Sequence, residues 1–137
     1  MIFDYLPYAK RLINEVIDCQ ELSLSNHDKS AMGEWYVNFE NNEFVVTVSQ
    51  DRGGSTCIEL GSKKRIRPKA HIRGPWSLSH LKGYMEGSKD HYRFTNIEEQ
   101  VEWFVSHNKQ LFDSSFLNAD NLNQWSVKAS RRLFGQE

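Results

Sequence analysis

A strictly alternating run, a polar break and a second alternating run constrain this chain more than anything else in it. Trp35, Val37 and Phe39 alternate with Tyr36, Asn38 and Glu40; Asn41-Asn42 follows; Phe44, Val46 and Val48 then alternate with Val45, Thr47 and Ser49. Side chains on a strand point to opposite faces in turn, so each run places its bulky members on one face. β-Branched and aromatic residues suit such a half-buried pleat. The pattern predicts a β-hairpin, with the Asn pair supplying a tight two-residue turn because Asn tolerates positive φ. Asp51-Arg52-Gly53-Gly54 is a second turn. Residues 55–60, with Ile58 and Leu60 at period two, form a third strand that Gly61 ends.

A sheet with one apolar face needs a second layer, and helices are available on either side. Phe3, Leu6, Ala9, Leu12, Ile13, Val16 and Ile17 recur at helical spacing. They predict one amphipathic helix over about 4–19, with Asp4 as N-cap and Pro7 in the first turn. The polar stretch 21–33 reads as a loop. Ser77 caps a short helix carrying Leu78, Leu81, Tyr84 and Met85, closed by Gly87. Thr95-Asn96-Ile97-Glu98 has the form of a capping box opening a helix that runs to about 112. A C-terminal helix starts near Asp120, with Arg131 and Arg132 at its negative end. For 62–74, rich in charge and interrupted by Pro68, an edge strand and a solvated loop both fit.

The expected architecture is one α+β domain over 1–137: a mostly antiparallel sheet of four or five strands packed against N-terminal and C-terminal helices. A chain of 137 residues buries roughly two thirds of its unfolded surface and needs no metal or disulfide to fold. Cys19 and Cys57 stand far apart without a CxxC partner, so neither a disulfide framework nor a thiolate zinc site is expected. The apolar runs are far below the ~20 residues of a membrane span, and the N-terminus lacks a basic leader. A cytoplasmic location is the expectation.

The net charge of −1 conceals polarity along the chain. Residues 1–61 hold four basic and ten acidic side chains, 62–93 nine basic and two acidic, and 94–137 four basic and six acidic. The middle is basic and its flanks acidic, an asymmetry that can steer a charged partner.

Motifs for catalysis are missing. His27, His71, His80, His91 and His107 offer no zinc-protease spacing, so no metal and no cofactor are expected. Cys57 falls mid-strand, where a small thiol packs. Asp51-Arg52-Gly53-Gly54 lacks the Lys-Ser/Thr of a phosphate loop. Lys63-Lys64-Arg65-Ile66-Arg67-Pro68-Lys69, followed by His71, Arg73 and Trp76, is the best nucleic-acid candidate. An acidic pI near 6.5 speaks against a domain built mainly for that purpose. A nucleic-acid-binding accessory domain using 63–73 is therefore the alternative reading. A small hydrolase or transferase built around His71, His80 and His91 is the third, and it requires a pocket where those imidazoles meet.

The order of elements resembles that of the small immunity proteins of bacterial polymorphic toxin systems, particularly contact-dependent growth inhibition. The resemblance rests on Glu34-Trp35-Tyr36-Val37-Asn38-Phe39, Phe44-Val45-Val46-Thr47-Val48, Asp51-Arg52-Gly53-Gly54 and Ile58-Glu59-Leu60-Gly61. Trp76-Ser77-Leu78-Ser79-His80-Leu81, Tyr92-Arg93-Phe94, 98–104, 108–112 and Arg132-Leu133-Phe134-Gly135 extend it over most of the chain. It implies a cytoplasmic, non-enzymatic protein without catalytic residues that binds the C-terminal toxin domain of a cognate effector, in many cases a nuclease. The expected state is a monomer in a heterodimer with the toxin, with no direct nucleic-acid or membrane contact. Against a basic nuclease cleft the natural phosphate mimics are Glu40, Glu43, Asp51 and Glu59. Against an acidic surface the basic segment would serve, and the expected partner-binding set is Asp51, Arg65, Arg67, Lys69, Arg73 and Trp76.

Overall fold

The computed structural model describes residues 3–64 and 75–133. In chain order its elements are helices α1 (Tyr5–Leu12) and α2 (Asn14–Gln20), strands β1 (Ser23–Lys29), β2 (Trp35–Glu40), β3 (Phe44–Gln50), β4 (Thr56–Ser62) and β5 (Trp76–Ser77), then helices α3 (Leu78–Met85), α4 (Ile97–Leu111), α5 (Ser114–Leu117) and α6 (Asp120–Leu133). The strands form one antiparallel meander in the order β1-β2-β3-β4-β5. The fold is α+β, as the patterning requires.

The β2–β3 alternation sets the layers. Val37, Val46, Val48, Ile58 and Leu60 are wholly buried, and Phe39 nearly so; they pack with Ala9, Ile13 and Val16 of the N-terminal helices and with Phe104, Leu111 and Leu122 of the C-terminal ones. Asp4 caps α1, accepting from the Leu6 N–H at 3.2 Å. The helix expected over 4–19 is broken at Ile13, whose backbone leaves the helical region at φ −115° and ψ 24°. The apolar stripe survives the break, because Ile13 is itself in the core and Ile17 N–H still donates to its carbonyl at 2.9 Å.

Other expectations need correction. The loop expected over 21–33 contains strand β1, paired with β2 from Ser23↔Glu40 to Lys29↔Trp35. Each of its seven residues is exposed; an edge strand needs only backbone partners, so it leaves no hydrophobic period to read. The β2–β3 turn does not use positive φ at either Asn, since Glu21 is the sole non-glycine residue in that region among the described residues. Instead Asn41 Oδ1 accepts from the N–H groups of Glu43 and Phe44, each at 2.8 Å. Its Nδ2 donates to the Gln20 carbonyl at 2.9 Å, fastening the turn to α2. Gly61 does not end its strand; it lies within β4, where a Cβ would meet Pro75 Cβ at 3.3 Å. The capping box is displaced by one residue: Asn96 Oδ1 accepts from Glu99 N–H at 2.9 Å, and Glu99 Oε1 accepts from Thr95 N–H at 2.6 Å. The short helix α5, capped by Asp113, was not expected from the sequence.

Candidate partner-binding face

The described helices gather on the apolar face of the sheet, leaving the other face without a helical cover. Strand register arranges that face in cross-strand rows. The middle row crosses every strand: Asn26, Asn38, Thr47, Glu59 and Ser77. A second row holds Asp28, Tyr36, Ser49 and Cys57. In the middle row Thr47 Oγ1 donates to Asn38 Oδ1 at 2.6 Å, and Asn38 Nδ2 donates to Asn26 Oδ1 at 2.7 Å. These bonds fix three side chains in place before any partner arrives, which lowers the ordering cost of association.

Glu59 continues the row but not the bonding. Burial holds its carboxyl above the ordinary carboxylate range, and among the described residues it has no hydrogen-bond or salt-bridge partner. Its field is felt nearby: burial first, then Glu59, then Asp51, push the Cys57 thiol up to about 11. Burial, with the two carboxylates adding to it, therefore keeps Cys57 protonated, the packed thiol expected of a strand. At the end of the sheet Asp51 lines a hollow of about 370 Å³ with Asp28, Glu34, Tyr36 and Ser49. One of its oxygens shapes the turn, accepting from Ser55 N–H at 3.1 Å. Glu34 is bound by Arg52 at 2.7 Å.

The acidic candidates thus divide. Glu40 is bound by Lys63 at 2.7 Å and Glu43 by Lys64 at 2.8 Å, and hydrogen bonds to those lysines hold both carboxyls below the ordinary range. Asp51 and Glu59 remain without a bound cation among the described residues. The basic run divides as well. Lys63 and Lys64 are engaged by those glutamates, while Arg65, Arg67, Lys69, His71 and Arg73 lie outside the described residues. Trp76 requires a correction: it is 4% exposed and its indole N–H donates to the Leu117 carbonyl at 2.9 Å. It anchors α5 to the sheet edge and presents no ring to a partner.

Two of the three imidazoles considered meet, His71 lying outside the described residues. His80 and His91 have ring centroids 3.6 Å apart, and His80 Nδ1 shares a hydrogen bond with Ser77 Oγ at 2.9 Å. That hydroxyl is already the N-cap of α3, accepting from His80 N–H at 3.2 Å. Burial and the neighbouring His91 push His80 down to about 4, too weak a base to activate a serine near neutral pH. No group of three or more His, Cys, Asp or Glu among the described residues is disposed to hold a metal ion. No described helix is long and apolar enough to cross a membrane. Sequence reasoning weighed Glu59 only as one acid of four, because its isolation depends on strand register. No family model matches the chain, and no curated protein or solved structure matches it either.

Proposed function

We propose that this chain is an immunity protein that neutralises the C-terminal toxin domain of a cognate contact-dependent inhibition effector, holding the basic cleft of a nuclease against the polar face of its sheet. The observation that carries this reading is Glu59: a half-buried carboxylate without a bound cation among the described residues, next in a cross-strand row to the bonded pair Thr47 and Asn38. A buried charge without a counter-ion is unfavourable, and an arriving Lys or Arg supplies one. A nuclease cleft offers such cations where it would hold phosphates. The resemblance in element order to immunity proteins supplies the biological setting. Complementary charge speeds encounter and rejects wrong partners, as a neutraliser requires.

The test is co-expression with the C-terminal domain of any large effector encoded adjacent to this chain, read by growth rescue and by affinity of the purified pair. Rescue with a stable complex is expected. In the double variant Asp51→Asn/Glu59→Gln the affinity falls by roughly 30- to 5,000-fold, as for truncated interface charge pairs. Full affinity in that variant, together with loss on charge reversal of Arg65, Arg67 and Arg73, would move the interface to the basic segment. Absence of rescue by the wild-type chain would overturn the immunity reading.

A further inference from the structure

The rings of His80 on α3 and His91 in the segment before α4 lie against one another at a 43° tilt, and Trp125 of α6 packs against both, its ring centroid 6.1 Å from His80 and 5.8 Å from His91. The Trp125 indole N–H donates to the Ser88 carbonyl at 2.6 Å. Gly83 permits this approach: a Cβ there would collide with the Asp90 carbonyl and lie 3.1 Å from Trp125 Cη2. Trp125 is thus held in a cradle formed by residues 83–91. Within it, His91 Nε2 is sealed from solvent and lacks a hydrogen-bond partner. Alongside lies an open cleft of about 940 Å³, lined by Ser79, Asp90, His91, Tyr92, Arg93 and Phe94 among others.

A sealed imidazole nitrogen without a partner is tolerable only in the neutral ring. A proton gained by either ring places a charge in a desolvated pair, against a second imidazole that then resists its own protonation. Because Nε2 is closed off, a ligand in the cleft does not reach it; a charged ring, however, has that cleft to turn into. We propose that the His80–His91 pair is an acid-released latch between α3 and α6: on protonation His91 turns into the adjacent cleft and Trp125 leaves its cradle, while the sheet stays folded.

The surrounding charges leave the imidazoles to decide. Asp90 opposes the effect of burial on His91 without overcoming it, so the His91 pKa remains depressed. On α3, Lys82 is bound to Glu86 at 2.6 Å. On α4, Glu99 is held by the Thr95 N–H and the Tyr92 hydroxyl. Arg93 lies at the cleft, and α6 meets the rings through Trp125. Both folded pKa values lie below the ordinary 6.5, His80 at about 4. The closed state therefore carries no proton penalty above about 6.5, and the penalty grows as pH falls from there toward 4.

The test is an NMR titration of the intact chain from pH 7.5 to 4, following the His80 and His91 ring signals, the Trp125 indole N–H, and the backbone amides of Val37 and Val46. Both rings are expected to titrate below 6.5, with the Trp125 signal changing reversibly at the same midpoint and the sheet amides unchanged. His91→Phe keeps a ring against His80 and Trp125 and is expected to remove the Trp125 step. A ring titrating at its ordinary value with Trp125 undisturbed, a Trp125 step that coincides with loss of the sheet amides, or one that persists in His91→Phe would overturn the latch. Should that variant not fold, the wild-type midpoints decide: separate midpoints for the imidazoles and Trp125 overturn it equally.

Discussion

Gln100 closes a gap that the sheet leaves open. β5 is only two residues long and pairs with Glu59 and Leu60, so the Ile58 N–H faces α4, where Gln100 Oε1 accepts it at 2.8 Å. Gln100→Leu leaves a buried donor unsatisfied and is expected to cost about 1–3 kcal/mol in urea unfolding. The apolar stripe read from α4 omits this residue because its type suggests solvent, and its partner is visible only once β4 is placed beside the helix. Glu21 is a second position where backbone outweighs residue type. It ends α2 in the left-handed region at φ 53° and ψ 50°. Glu21→Gly relieves a left-handed strain of about 1–2 kcal/mol against an added chain-entropy cost of about 0.5–1 kcal/mol, and a net stabilisation of up to about 1 kcal/mol is expected in the same assay.

Elements whose cores lie within their own sequence were legible; those made by distant partners were not. The hairpin and α6 announce themselves through period, since each carries its buried face in its own residues. β1 carries none: Tyr5 Oη bonds His27 Nδ1 at 2.7 Å, and β2 supplies the ladder. The start of α4 was misread by one residue because Thr95 and Asn96 are both good caps, and the choice falls to the residue whose carbonyl-type oxygen reaches Glu99 N–H. Asn96→Ala is accordingly expected to cost about 1 kcal/mol. Glu99, which also accepts from Tyr92 Oη at 2.9 Å, should lower the melting temperature more when changed to Ala than Glu98 does. Equal effects from the two glutamates would restore the unshifted box.

At the scale of the molecule, what the sequence withheld was the second face of the sheet. Alternation identifies which residues point away from the core, but not which of them stand side by side; that depends on register across strands far apart in sequence. Asn38, Thr47 and Glu59 become neighbours only when β2, β3 and β4 are aligned. The face can therefore be probed from its centre. Thr47→Lys removes the hydroxyl that donates to Asn38 and sets a cation beside Glu59, satisfying from within the charge that a partner would otherwise meet. Strand propensity and the lost bond together put the stability cost at about 1 kcal/mol, small enough to leave the chain folded by circular dichroism. Toxin neutralisation in the growth assay is nonetheless expected to fail. Gln110→Lys, on the exposed side of α4, changes the net charge equally and should neutralise as the wild type does. Normal rescue by folded Thr47→Lys would mean that the polar face of the sheet is not where the partner docks.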